Sequence, residues 1–169
     1  MRIEFPAFSG IRCLMMPYIQ GNSASVPKEY EPYKDIINTV FLKKGDLGFL
    51  TIDESVALKG KPHRGQRAKY GRALHTEAGK RPNNTFKWGG WGSSDHEDTS
   101  FDGDIGHAAS DYPYANAVLM KAGEVREIGI LTPHESLPVQ QDCNRQFLRI
   151  ISSGVWGREE YFTVNPVMQ

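Results

Sequence analysis

"TPHESLPVQQDCNRQFLRI" runs from Thr132 to Ile150. Its second half has strand character: Arg145, Phe147 and Arg149 share one parity, and alternate side chains of a strand point to one face. Its first half sets His134 between Pro133 and Glu135, where a turn would place it. Two readings follow. The stretch is either half of a ligand site, with an imidazole and two guanidiniums facing one cavity, or a turn entering an ordinary strand.

The surrounding sequence favours a β-rich chain. "NAVLM" (Asn116–Met120), "REIGIL" (Arg126–Leu131), "RQFLRIIS" (Arg145–Ser152) and "EYFTV" (Glu160–Val164) are short apolar runs between turn residues. Upstream, "IRCLMM" (Ile11–Met16) predicts a strand, and "DLGFLTIDES" (Asp46–Ser55) predicts a buried strand ending in two acids. "YGRALHTEAG" predicts a strand from Tyr70 to Glu77. One helix is expected in "PKEYEPYKDIINTVFLKKG", where Tyr33, Ile36, Ile37, Val40 and Phe41 have helical spacing and Gly45 follows as a stop. Pro32 must then lie in its first turn. One helix with roughly eight short strands fits a sandwich, jelly roll or small barrel.

The chain of 169 residues is long enough for one domain, expected over 1–169, with a real core. Lys plus Arg and Asp plus Glu are 20 each, so net charge draws the protein neither to nucleic acid nor to membrane. The two cysteines, Cys13 and Cys143, form no CxxC pair, which points away from a disulfide framework and a cysteine-built zinc site. A reducing, cytoplasmic setting is expected. The N-terminus lacks the long apolar run of a signal peptide or membrane span. Phosphate-loop (GxxxxGK[ST]), nucleophile-elbow (GxSxG) and HExxH signatures are absent.

Five histidines are available as ligands. His75 and Glu77 stand two apart on a predicted strand, so imidazole and carboxylate project from one face. With His134 they would make two histidines and one carboxylate, a set that leaves positions open on iron(II). His96 with Asp98 is a rival pair, inside an acidic Gly/Ser-rich stretch. Asp98, Asp102 and Asp104 lack the spacing and closing glutamate of an EF-hand loop. Lys59, Lys61, Arg64, Arg67, Lys69 and Arg72 form a basic run that reads as a solvated loop or as a phosphate-facing surface for a nucleotide-like substrate. Trp88 and Trp91, beside glycines, read as loop anchors or as parts of a lid. Asp53 and Glu54, adjacent on a strand, point to opposite faces and do not act as a pair.

From Lys121 to Ile150 the chain resembles the distal half of the iron(II)/2-oxoglutarate-dependent dioxygenases. In that superfamily a Gly-containing turn precedes a strand that delivers a histidine, and an arginine follows in the next strand. Gly123 matches the turn, His134 the distal ligand and Pro138-Val139 the continuation, while Arg145 or Arg149 matches the arginine. His75 and Glu77 match the proximal ligands, with glutamate where most members have aspartate. The resemblance implies a mainly β, double-stranded β-helix (jelly-roll, cupin-like) with one N-terminal helix. It also implies Fe(II) and 2-oxoglutarate as cofactors and C–H hydroxylation of a small-molecule or nucleotide-like substrate. A guanidinium suits the distal carboxylate of 2-oxoglutarate because its planar fork binds carboxylates bidentately. Two other readings stand beside this one: a non-enzymatic β-sandwich assembly protein that self-associates, and a cupin-like metal or sugar binder.

Overall fold

The computed structural model describes residues 1–61, 72–76, 105–129, 132–153 and 162–169. The chain forms two compact units. The first comprises Met1–Val56, Asn144–Gly154 and Arg158–Gln169, and the second Ala57–Cys143 and Val155–Gly157.

The first unit is built on a three-stranded sheet of order β1-β2-β3, with β1 at Arg12–Ile19, β2 at Leu47–Ala57 and β3 at Cys143–Ser152. β1 pairs antiparallel with β2, from Arg12 opposite Asp53 to Ile19 opposite Leu47. It runs past the predicted end at Met16 because proline is tolerated on an edge strand, and Pro17 lies on one, opposite Phe49. A bulge separates Cys13 from Met16 in the register, and there Met15 adopts φ 50°. Met15 is fully buried, and its amide donates to Thr51 Oγ1 at 3.1 Å. The central strand β2 is buried along nearly its whole length, as its run of apolar residues predicts.

The predicted helix is shorter than its periodicity suggests. A 3-10 helix over Lys28–Tyr33 contains Pro32, and the α-helix α1 spans only Lys34–Thr39. Pro32 has no amide proton for an α-helical ladder, so the regular helix starts beyond it. At the other end Val40 turns extended, and Phe41 is exposed. Tyr33, Ile36 and Ile37 still face inward, packing with Tyr18, Leu50 and Ile52 in one apolar core. Burial of a large apolar side chain there contributes about 1.5–3 kcal/mol.

One carboxylate ties this unit together. Glu54 Oε2 accepts from the amides of Ser9 (2.7 Å), Gly10 (2.6 Å) and Ile11 (2.9 Å). Its Oε1 accepts from the Tyr33 hydroxyl (2.6 Å) and from Gln146 Nε2 (2.9 Å). Gly10, at φ +83°, lets three successive amides converge on one oxygen. Burial works to raise the pKa of Glu54, but these donors outweigh it and hold it at about 2. Asp53, its neighbour, meets Arg12 Nε at 3.0 Å and lies 3.8 Å from Arg145 Nη1. The two acids therefore serve opposite faces, as alternation requires.

In the second unit Ala57, Ala73, Leu74, Ile105 and Ala108 are buried. Among the described residues it contains isolated bridges and 3-10 turns instead of strands. The bridges include Lys59 to Val139, parallel, and His75 to His134, antiparallel. Gly123, at φ 74°, sits in a turn closed by the Glu124 amide on the Lys121 carbonyl at 3.0 Å. The predicted strand at Asn116–Met120 does not form: a 3-10 turn takes Tyr114–Asn116, and Val118 and Leu119 are 73% and 71% exposed. Regular structure among the described residues is thus mainly β with one α-helix. No helix among them is long and apolar enough to cross a membrane.

Candidate metal centre

The site is built from two short extended segments of the second unit. His75 and His134 face each other across an antiparallel bridge, each donating its amide to the other's carbonyl at 2.9 Å. Residues directly opposite in such a pair project to the same face. The imidazole centroids are accordingly 4.4 Å apart, with the planes inclined at 52°. Two nitrogens sharing one ion at about 2.0–2.1 Å each lie roughly 3 Å apart, a spacing that neighbouring rings can supply. Both histidines are half-buried, above the buried Leu74 and Thr76.

The ring protons are placed by the backbone. His75 Nδ1 lies 2.7 Å from the Ala73 carbonyl oxygen, and His134 Nδ1 lies 2.9 Å from that of Thr132. A carbonyl oxygen only accepts, so each Nδ1 carries the hydrogen. In the neutral ring the lone pair is then on Nε2. That is the tautomer and support found in metal-binding histidines, whose other nitrogen donates to a carbonyl or carboxylate. The repeat of this arrangement at two positions far apart in sequence is the principal chemical feature of the unit.

Glu77, the expected third ligand, lies outside the described residues, as do His96, Asp98, Asp102, Asp104, Trp88 and Trp91 and the basic run from Arg64 to Lys69. Among the described residues no group of three or more His, Cys, Asp or Glu side chains converges as a metal site. The arginines belong to the first unit. Arg145, Phe147 and Arg149 share one face of β3, with the Arg145 guanidinium 4.9 Å from the Phe147 ring centre. Arg149 Nη2 lies 3.8 Å from Met15 Sδ. Arg145 stands beside Asp53, which compensates part of its charge.

Neither cysteine takes part. Both are free; Cys13 is buried, and that burial pushes its thiol up to about 12, so it is no nucleophile.

Sequence reasoning missed Arg72 and Glu135. Arg72 belongs to the basic run that reads as a solvated loop or a phosphate-facing surface, yet its side chain is only 16% exposed and pairs with Glu135, at 10%. The available signal was parity. With His75 opposite His134, alternation sends Arg72, Leu74 and Glu135 together to the other face. The register itself is not visible in the sequence.

No protein-family model, curated protein or solved structure matches this chain.

Proposed function

We propose that the protein is an iron(II)- and 2-oxoglutarate-dependent oxygenase that hydroxylates a C–H bond, on a double-stranded β-helix. The observation that carries this reading is the His75–His134 pair, two imidazoles on one face with both Nδ1 protons committed to carbonyls. The donor set suits a divalent ion of intermediate softness: two neutral imidazole nitrogens, completed in the proposal by the Glu77 carboxylate. Iron, when bound, supplies the redox chemistry by which 2-oxoglutarate, oxygen and R–H become succinate, carbon dioxide and R–OH.

The protein's own groups do the holding. Ala73 and Thr132 carbonyls fix the rings of His75 and His134. Arg145 or Arg149 is the guanidinium that suits the distal carboxylate of 2-oxoglutarate, through a planar fork that lysine cannot reproduce.

Anaerobic titration of the full chain with Fe(II), then with 2-oxoglutarate, tests the reading. A visible absorption band that needs both additions is expected, followed by oxoglutarate-dependent oxygen uptake. His134→Ala should abolish both. Neither band nor uptake in the unaltered protein would sink the proposal.

A further inference from the structure

The two histidine segments are held by more than their bridge. Arg72 Nε donates to Glu135 Oε1 at 2.9 Å, and Nη2 reaches the same oxygen. Arg72 Nη1 donates to the carbonyls of Tyr112 (2.7 Å) and Ala109 (3.1 Å). The Tyr114 ring centre lies 4.1 Å from the guanidinium carbon, and the Tyr114 hydroxyl donates to Glu135 Oε2 at 3.4 Å. Arg72 is thus engaged by a carboxylate, two carbonyls and an aromatic face. Its charge is satisfied within the unit, so it is a poor candidate for holding substrate.

Its position gives it another role. Glu135 follows His134 directly, and Arg72 lies three residues before His75. Across the His75–His134 bridge, Arg72 and Glu135 fall on the side away from the imidazoles. An isolated bridge is a weak device for fixing register, because two short strands alone are marginally stable. A slip of one residue would turn one imidazole to the opposite face. A half-buried, multiply hydrogen-bonded ion pair across the same two segments resists that slip. The flanking carbonyls and Tyr114 keep the guanidinium from following it.

We infer that Arg72 and Glu135, braced by Tyr114, are positioning residues that lock His75 against His134 and so set the affinity of the imidazole pair for a metal ion. This rests on the reading of His75 and His134 as metal ligands. Neither Arg72 nor Glu135 is itself a ligand in it.

Co(II) binding to the full chain, read from its d–d absorption, tests the inference, with ring-nitrogen NMR as a second readout. In the unaltered protein both histidines should show the Nδ1–H form, and cobalt should bind. Arg72→Met and Glu135→Gln should each weaken cobalt binding about 10–100-fold, the usual effect of removing a group that orients a ligand. Arg72→Lys, which keeps the charge but loses the fork, should fall between. If Arg72→Met does not fold, Glu135→Gln carries the test, since it removes the charge of the ion pair while keeping the side chain's size and shape. Cobalt affinity within twofold of the unaltered protein in folded Glu135→Gln and Arg72→Lys, with only a lower melting temperature, would overturn the positioning role alone. Absence of cobalt binding in the unaltered protein would overturn the metal reading, and this inference with it.

Discussion

Glu54→Gln isolates the clamp of the first unit. The carboxylate is 2% exposed and accepts from three amides, a tyrosine hydroxyl and a glutamine amide. Its pKa falls from the ordinary 4.5 to about 2. At 1.36 kcal/mol for each tenfold change in proton affinity, the charged form stabilises the fold by roughly 3 kcal/mol. Gln keeps the shape and one acceptor oxygen, but its NH₂ must face donors on one side. Loss of about 3 kcal/mol is expected near neutral pH, since each buried donor left unpaired costs about 1–3 kcal/mol.

The pH dependence separates charge from shape. The folded-state value is depressed, so the unfolded chain takes up the proton first as pH falls. The stabilisation is complete above about 4.5 and disappears as pH falls through about 2. Roughly 2 kcal/mol of it should be gone at pH 3, by the same linkage. Urea denaturation followed by far-UV circular dichroism, on both proteins at pH 7 and pH 3, measures the gap between them. The gap should narrow by that amount. A gap that does not change with pH, or a cost at pH 7 below about 0.5 kcal/mol, would refute the claim that the ionised carboxylate holds the amides of residues 9–11.

Other substitutions probe the same unit from different directions. A Cβ on Gly48 would lie 2.6 Å from Gln20 Cγ, and buried Gln20 is fixed by the amides of Leu42 and Lys43 and the carbonyl of Leu47. Gly48→Ala should therefore cost about 1–3 kcal/mol in a urea melt, the range for overpacking. Asn165→Ala removes donations to the carbonyls of Pro17 and Ser25, both at 2.7 Å, and an acceptance from the Val167 amide at 3.0 Å. A loss of about 2–3 kcal/mol is expected in the same assay. Thiol titration with a chromogenic disulfide should modify half-buried Cys143 in the native protein and reach buried Cys13 only in denaturant.

What the sequence revealed depends on how local each signal is. β2 and the β3 core were legible because burial and alternation are written in consecutive residues. β1 extends beyond the apolar run ending at Met16, through Pro17, which the edge position of the strand makes harmless. The helix was over-long because the spacing of Val40 and Phe41 continues a helical stripe that the backbone abandons at Thr39. "NAVLM" shows the limit of apolar runs as strand signals, since a strand also needs a partner edge. The pairing of His75 with His134, and hence of Arg72 with Glu135, depends on a register between segments distant in the chain. Nothing local encodes that register.

The adjacent pairs Asp53-Glu54 and Arg145-Gln146 show how alternation divides labour within one sheet. Glu54 and Gln146 meet on the side of Tyr33, where every acceptor position of the carboxylate is engaged and the role is stability. Asp53 and Arg145 meet on the opposite side, at 3.8 Å, with Arg149 on the same face of β3. A charge change on the first side is therefore separable from one on the second. Glu54→Gln should lower stability without altering the 2-oxoglutarate binding proposed for Arg145 or Arg149, and Arg149→Met should do the reverse. If their effects on the unfolding free energy from urea melts add to within about 0.5 kcal/mol in the double variant, the two faces are independent. A coupling energy above about 1 kcal/mol would show that the clamp and the arginine face act as one network.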